Sequence, residues 1–201
     1  MLMVSVDLRT HQKRFYASVI YGLNLASERV SLWRDLRFLH SCYGSKAWVL
    51  MGDFNAVRRP NERLEGFDVR SASDFNSCVE EVEMQELVTK GYWYTWTNKR
   101  GGLGSNKSKL DRTFINSAWM DLFRDSEVVG FAPGISDHCA LVMTVIPNSF
   151  RACPFRFYNF WMKDNRFGAL LSSSWGQHAV GNPMDMFSLK LKRLKPLLKA
   201  Q

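Results

Sequence analysis

The apolar run AWVLM at positions 47–51, which ends abruptly in GDFN at 52–55, constrains the fold of this chain more than any other feature. An uninterrupted apolar run of this short length is typical of a central β-strand that is covered on both faces. The polar residues that follow such a strand lie at one edge of its sheet. The sequence therefore predicts a buried central strand and a candidate functional site where that strand ends.

Segments with strand and helix character alternate up to residue 150. Strands are predicted at 2–8, 15–21, 47–51, 92–97, 109–115, 128–131 and 138–146. Helices are predicted from an N-cap at Ser27 to Cys42, from a cap at Ser73 or Asp74 to Leu87, and at 118–123. The strands at 92–97 and 109–115 should pair as a hairpin across the Gly-rich loop at 101–107. This order predicts an α/β fold with mixed β-sheets.

Positive charge is concentrated beyond residue 150. The segment 151–201 has nine basic and two acidic residues and so contributes +7 of the net charge of +8. The basic composition therefore does not by itself show that the body at 1–150 binds phosphate. Apolar residues beyond 154 recur at helical spacing, so we predict a helical segment at 151–201. Its basic stretch at 190–199 is either a phosphate-binding helix or the solvated face of a linker.

The cysteines and the N-terminal segment indicate an intracellular protein without a membrane partner. Cys42, Cys78, Cys139 and Cys153 are widely spaced, without the clustering of a zinc site, and are predicted to be reduced thiols. The apolar segment at 1–9 is too short for a membrane span or a signal peptide. The KLKRLK run at 190–195 is the candidate for a nuclear address.

The GDFN turn carries the first candidate catalytic pair. Asp53 and Asn55 are two residues apart in a segment expected to be extended, so both side chains should project to one side. Asp53 could activate an attacking water, and the amide of Asn55 could donate to a phosphate oxygen. The alternative is a turn in which both side chains serve only the backbone.

A second group of candidates comes from two other strand ends. Asp137 and His138 begin an apolar strand, where Asp137 could bind Mg²⁺ and His138 could contact a phosphate or act as a base. Asp111 lies within a strand pattern and needs a polar partner, for which His138 is the candidate. The alternatives are a surface Asp137–His138 pair and an exposed Asp111–Arg112 ion pair.

Aromatic residues are dense at 92–96. Tyr92, Trp93, Tyr94 and Trp96 could stack on bases or wedge into a DNA groove. Strand alternation implies that half of them are buried. We predict that Trp93 belongs to the core, and both readings stay open for Trp96.

The ordered motifs YGLN at 21–24, GDFN at 52–55, LDR at 110–112 and SDH at 136–138 resemble the endonuclease/exonuclease/phosphatase superfamily, which includes apurinic endonucleases. The resemblance implies a partial four-layer α/β sandwich with mixed β-sheets at 1–150, followed by a helical tail. It also implies Mg²⁺ as the cofactor, DNA as the partner and no small-molecule cofactor. It assigns the scissile phosphate to Tyr21 and Asn24, the attacking water to Asp53 and Asn55, the orientation of His138 to Asp111, and metal and phosphate to Asp137 and His138.

Further phrases resemble the plant-type LINE (non-LTR) retrotransposon proteins. They are RVSLW at 29–33, NER at 61–63, YTWTN at 94–98 and PFRFYNFW at 154–161. The resemblance implies that the segment 151–201 corresponds to the lead-in to a reverse transcriptase.

The family begins with strands that carry an Asn and a metal-binding Glu, and neither precedes Met1 in this sequence. The domain is therefore expected to be truncated at its N-terminus. Glu28, Glu62 and Glu65 are expected to face solvent and do not replace the missing ligand. The leading hypothesis is a Mg²⁺-dependent DNA endonuclease impaired by that loss. The alternatives are a non-catalytic remnant that at most binds nucleic acid, and a phosphatase of lipid or inositol phosphates.

Overall fold

The computed structural model describes residues 1–146, 157 and 159–199. The chain divides into two compact units, Met1–Phe150 and Arg151–Gln201. Three features of the sequence predictions lie outside the described residues: the boundary near residue 150, Cys153, and positions 154–156 and 158 of the tail motif.

Within its described residues, 1–146, the first unit contains two longer helices, one short helix and three groups of paired strands. The helices are α1 (Ala26–Tyr43), α2 (Val69–Glu81) and α3 (Ser117–Phe123). The strands are β1 (Leu2–Leu8), β2 (Lys13–Tyr21), β3 (Trp48–Asp53), β4 (Gln85–Glu86), β5 (Thr89–Gly91), β6 (Trp96–Thr97), β7 (Lys107–Ser108), β8 (Asp111–Ile115), β9 (Glu127–Gly130) and β10 (Leu141–Thr144). Single 3₁₀ turns occur at Arg9–His11, Pro60–Glu62 and Gly102–Gly104.

The main sheet has five strands in the order β1-β2-β3-β8-β4, with β3 at its centre. Within it β2 and β3 are parallel, and the other neighbours are antiparallel. The strands β10, β9 and β5 form a second, mixed sheet, and β6 pairs with β7. The predicted α/β class with mixed sheets is confirmed.

Burial of the apolar run explains why β3 is central. Trp48, Val49 and Leu50 are all buried, as predicted for a strand covered on both faces. The core on one face is aromatic: Phe75 of α2 stacks on Trp33 of α1 at 4.9 Å and on Phe54 at 5.1 Å between ring centroids. Such contacts between rings add to the free energy gained by burial.

The opposite face of the sheet is covered by α3. Phe15 and Tyr16 are successive residues of β2 and therefore point to opposite faces. Tyr16 packs against the core that contains Trp33, whereas Phe15 meets Trp119 and Phe123 of α3 at ring-centroid distances of 5.0 and 5.6 Å. The sheet thus lies between helical layers.

The helix starts differ from the predictions. Ser27 lies inside α1, which begins at Ala26 after Leu25. The second helix begins at Val69, where the Asp68 side chain accepts from the Ser71 N–H, so neither Ser73 nor Asp74 is its cap. It ends at Glu81, well before Leu87. The apolar periodicity marks the buried face of a helix but not its polar first turn, so it places the start too late.

The predicted pairing of 92–97 with 109–115 is wrong. β6 pairs with the short β7, whereas β8 pairs with β3 on one side and β4 on the other. The strand predicted at 138–146 is reduced to β10, and His138 forms an isolated bridge with Trp96. Apolar content marks these segments as strands, but the choice of partner depends on residues distant in sequence.

Glu62 is buried, which contradicts the prediction that it faces solvent. Both of its carboxylate oxygens accept from the guanidinium of Arg112, at 3.2 and 2.5 Å. Arg112 is fully buried and also donates to Glu86, at 3.0 and 3.1 Å. The predicted alternative of an exposed Asp111–Arg112 pair is therefore wrong. Glu28 and Glu65 are exposed, as predicted.

Asn116 joins α3 to the central strand. Its Oδ1 accepts from the backbone N–H groups of Trp48 and Trp119, and its Nδ2 donates to the carbonyls of Gly44 and Lys46. All four hydrogen-bonding positions of this buried amide are used.

Replacing Asn116 by alanine should lower the free energy of unfolding by roughly 2–4 kcal/mol, because it removes a cap and leaves buried backbone groups unpaired. Urea denaturation followed by circular dichroism measures the effect. Asn182→Ala is the matched control, since Asn182 accepts from the Asp185 N–H at an exposed helix start. Equal midpoints for the two variants would show that the Asn116 contacts contribute little.

The second unit is helical, as predicted. It contains a 3₁₀ segment at Asn159–Lys163, α4 (Phe167–Trp175) and α5 (Pro183–Lys199). Trp175 of α4 meets Phe187 of α5 edge-on at 6.0 Å, and the Lys190 ammonium lies over the Trp175 ring. In the described part of the chain, no helix combines the length and apolar character that a bilayer crossing requires. Phosphate binding by this unit stays a prediction.

Candidate active site

Three adjacent strands bring candidate residues to one edge of the main sheet. Tyr21, the last residue of β2, is in register with Asp53, the last residue of β3. Asp53 is in turn in register with Asp111, the first residue of β8. The order of the strands therefore collects residues that are distant in sequence.

Two glycines make this edge compact. Gly52 has a φ of 139°, and a Cβ at that position would lie 2.2 Å from the Ile20 carbonyl oxygen. A Cβ on Gly22 would lie 2.4 Å from the Phe54 carbonyl oxygen. Only glycine allows these backbone contacts without a shift of the strands.

A cleft of about 570 Å³ opens at this edge. Six of the seven candidate residues line it: Tyr21, Asn24, Asp53, Asn55, Asp137 and His138. The seventh, Asp111, contacts the His138 ring at Nδ1. The structure thus brings all seven together, and their chemical roles stay predictions.

The sequence predicted that Asn55 lies in an extended segment, and this prediction is wrong. Its φ of 48° is left-handed, and its N–H donates to Asp53 Oδ1 at 2.8 Å, which forms a tight turn. Its Nδ2 donates to Asp53 Oδ2 at 3.0 Å and to the Gly22 carbonyl at 2.8 Å. Both amide hydrogens are engaged, so Asn55 orients the Asp53 carboxylate and is not free to donate to a phosphate. The turn therefore fixes the backbone after β3 and also orients a carboxylate that lines the cleft.

Asp111 and His138 form the predicted contact. His138 Nδ1 lies 2.8 Å from Asp111 Oδ2, and its Nε2 lies 4.0 Å from Asp53 Oδ2. Within the described residues, Nε2 has no hydrogen-bond partner. A carboxylate at Nδ1 fixes the tautomer that carries the Nδ1 proton when the ring is neutral, and it favours the doubly protonated ring. The ring is therefore oriented by Asp111 and open to a ligand at Nε2.

Thr95 joins the segments that carry the two partners. Its buried hydroxyl accepts from the N–H groups of Leu110 and Asp111, at 2.9 and 2.8 Å. Its carbonyl accepts from the Cys139 N–H at 2.7 Å. One residue thus fixes the backbone beside Asp111 and beside His138.

The pKa values of His138 and Asp53 both lie above their ordinary values. Burial lowers the pKa of His138, but the hydrogen bond and charge of Asp111, with the charges of Asp53 and Asp137, outweigh it and raise the pKa above 6.5. Burial raises the pKa of Asp53 above 3.8, and the charge of Asp111 adds to this against the hydrogen bond from Asn55. The surroundings therefore favour the protonated form of both groups compared with the same groups free in water.

Asp137, the predicted metal ligand, is exposed and accepts from the Trp96 indole N–H at 3.1 Å. This hydrogen bond lowers the pKa of Asp137. Among the described residues, no group of three or more His, Cys, Asp or Glu side chains is arranged to hold a metal ion. Magnesium favours several oxygen ligands, so Asp137 alone would not complete a Mg²⁺ site.

The aromatic residues at 92–96 do not follow the predicted alternation of buried and exposed side chains. Trp93 is 46% exposed, with the Lys109 ammonium 4.6 Å from its ring centroid, so its assignment to the core is wrong. Trp96 lines the cleft, and its N–H contacts Asp137. Residue alternation fails here because β6 is only two residues long.

Sequence reasoning missed Arg29 and Arg63, which also line the cleft. A signal for Arg29 was present in the helical spacing. Arg29 precedes Leu32, Trp33 and Leu36 by three, four and seven residues, which places it on the buried face of α1. A buried arginine on an apolar face requires polar partners. No comparable signal marks Arg63.

Several solved structures are similar in fold to this one. The endonuclease domain of TRAS1, a telomere-specific non-LTR retrotransposon, is 21% identical with a TM-score of 0.54 over 71% of this chain and 63% of its own. The Neisseria 3′ phosphatase NExo, bound to a product DNA hairpin, is 16% identical with a TM-score of 0.52 over 66% of this chain and 61% of its own. Staphylococcus aureus beta toxin is 10% identical with a TM-score of 0.50 over 72% of this chain and 57% of its own.

The fold is that of the endonuclease/exonuclease/phosphatase domains. The chain spans less than two thirds of the length of these structures. The sequence matches no protein-family model and no curated protein. At such low identity the similarity establishes the fold, and the activity must be argued from the site.

Proposed function

We propose that this protein is a phosphodiesterase of the endonuclease type that acts on DNA and derives from a plant-type LINE retroelement. The observation that carries the proposal is the pairing of Asp53 with His138, whose free Nε2 lies 4.0 Å from the carboxylate. DNA as substrate is supported by the TRAS1 endonuclease domain and by the DNA-bound NExo structure. Both proteins share the fold.

The chemistry is attack of water on a backbone phosphate. Asp53, oriented by Asn55, accepts a proton as the water oxygen bonds to phosphorus. His138 donates from Nε2 to a non-bridging oxygen as negative charge builds there, and Asp111 stabilises the imidazolium. The bond from phosphorus to the leaving oxygen breaks, and that oxygen takes up a proton from solvent. Tyr21 and Asn24 contact the same phosphate at the mouth of the cleft.

A requirement for Mg²⁺ is part of this proposal, with Asp137 as the candidate ligand. The described carboxylates do not complete its site, which also supports the second candidate function, a non-catalytic remnant that at most binds nucleic acid. No observation favours a phosphatase of lipid or inositol phosphates.

A nicking assay on supercoiled plasmid tests the proposal. The protein with Mg²⁺ should convert plasmid to open circles, and Asp53→Ala or His138→Ala should reduce the rate by roughly 10²- to 10⁴-fold. EDTA should abolish nicking. Asp125→Asn is the matched control, because Asp125 is an exposed acid that does not line the cleft. If the protein and both site variants are equally inert while circular dichroism shows them folded, the protein is a non-catalytic remnant and the enzyme proposal fails.

The pH profile of nicking should be bell-shaped because the mechanism needs Asp53 as a carboxylate and His138 as an imidazolium. Both pKa values are raised, so the acid limb should lie above 3.8 and the alkaline limb above 6.5. Single-turnover rates measured from about pH 4 to about pH 10 would define the acid limb and the alkaline limb. An alkaline limb below 6.5 would contradict the role given to His138.

A further inference from the structure

Two arginines in the cleft have no part in the proposed chemistry. Arg29 is 5% exposed, and its Nη1 donates to the carbonyls of Leu23 and Asn24 at 2.9 and 2.7 Å. Its Nη2 donates to the Ser71 hydroxyl at 2.7 Å. Its Nε is buried and has no partner in the part of the chain that the structure describes. Donors of this charged group therefore remain unused.

Arg63 lies on the same cleft and has the same deficiency. Its Nε is buried and also lacks a partner among the described residues. Burial lowers the pKa of Arg29, and the nearby charge of Arg63 lowers it further. An arginine stays charged in proteins, so two guanidinium groups repel each other there.

The acidic residues nearby act on Arg29 and, among the described residues, make no hydrogen bond or ion pair with Arg63. Asp68 attracts Arg29, but its Oδ1 accepts from the Ser71 N–H at 3.0 Å as the cap of α2. Asp53 is engaged by Asn55. A guanidinium binds phosphate oxygens, and the half-buried Arg63 side chain, which lines the cleft, has no hydrogen bond or ion pair among the described residues. Arg63 therefore presents a cation without a protein partner to the cleft, with Arg29 beside it.

We propose that Arg29 and Arg63 form a second anion site, which binds a non-scissile phosphate of the strand whose neighbouring phosphate is cleaved. The identification of that anion as a DNA phosphate rests on the proposed function. The two arginines and His138 line one cleft, so a strand with regularly spaced phosphates can contact both sites. The second site positions the strand and takes no part in bond breaking.

Arg63 is the residue to change, because Arg29 also fixes the loop at Leu23 and Asn24. Arg63→Met removes the charge and the donors, and Arg63→Lys keeps the charge but replaces the planar guanidinium by a single ammonium. Arg70→Met is the matched control, because Arg70 is an exposed arginine on α2 that does not line the cleft.

Binding of a fluorescein-labelled DNA duplex is measured by anisotropy in EDTA at increasing salt. Arg63→Met should weaken binding roughly tenfold and make the slope of log K against log salt shallower by about 0.9, since one phosphate contact is lost. Arg63→Lys should restore the slope but only part of the affinity. In the nicking assay, Arg63→Met should raise KM with kcat changed less than about twofold, which marks a loss of uniform binding.

The outcomes separate this inference from the proposed function. If Arg63→Met and Arg70→Met bind DNA with the same affinity and slope, there is no second anion site, whether or not the protein nicks DNA. If the slope changes for Arg63→Met alone while the unsubstituted protein never nicks, the anion site stands and the enzyme proposal fails. A fall in kcat at unchanged KM would also overturn the positioning role of Arg63.

Discussion

Arg112→Met is expected to lower the free energy of unfolding by roughly 3–5 kcal/mol. The guanidinium of Arg112 is fully buried between Glu62 and Glu86, and Glu62 is itself buried. Methionine replaces the volume of the side chain but leaves the Glu62 carboxylate without its cation. Urea denaturation followed by tryptophan fluorescence measures the loss.

Two controls separate charge from packing. The double variant Glu62→Gln with Arg112→Met removes both members of the pair and should recover part of the stability, because no isolated charge remains. Lys90→Met breaks an exposed pair with Glu127 and should leave the urea midpoint almost unchanged. If Arg112→Met behaves like Lys90→Met, the network contributes nothing to folding.

Asp111→Asn is expected to reduce nicking by roughly 10²- to 10⁴-fold with little change in fold, if the proposed function is correct. Asparagine can still accept a hydrogen bond from His138 Nδ1, but it no longer stabilises an imidazolium. Because the substitution removes the negative charge of Asp111, burial becomes the main influence on the imidazole, so the pKa of His138 should fall. NMR titration of the histidine ring protons measures this, with His138→Ala to assign the signal.

The same variant has a signature in stability. The raised pKa of folded His138 contributes stability that is fully present below its unfolded pKa and is lost as pH rises through the folded pKa. Asp111→Asn should therefore destabilise the protein more at acidic than at alkaline pH. Asp125→Asn serves as the control. A pKa of His138 that does not change in Asp111→Asn would show that the contact at 2.8 Å has no electrostatic role.

The main strands and the Asp111–His138 contact could be predicted because each depends on a local pattern. A short apolar run identifies β3, and the polar residues after it must lie at the edge of the sheet. Asp111 within a strand pattern required a polar partner, and His138 was the candidate at another strand end. The chemical need of a single residue was enough to predict the pair.

Other features depend on partners that no local pattern identifies. Glu62 follows a polar stretch and looks exposed, yet Arg112, fifty residues later, buries it. The pairing of β8 with β3 and β4 was missed because the loop at 101–107 made a local hairpin the simpler choice. Asn55 departed from extended geometry because its side chain and N–H both bind Asp53.

The close backbone contact at Gly52 separates two kinds of mutational tolerance within a single four-residue motif. Gly52 is required for the strands to approach, whatever the protein does, whereas Asp53 carries a buried carboxylate whose raised pKa opposes its own ionisation. A population of variants selected only for soluble expression would therefore retain Gly52 more strictly than Asp53. A related protein that had lost its catalytic activity would still carry the glycine. Retention of Gly52 is therefore evidence that the domain folds, whereas retention of Asp53 is evidence that the site is still used.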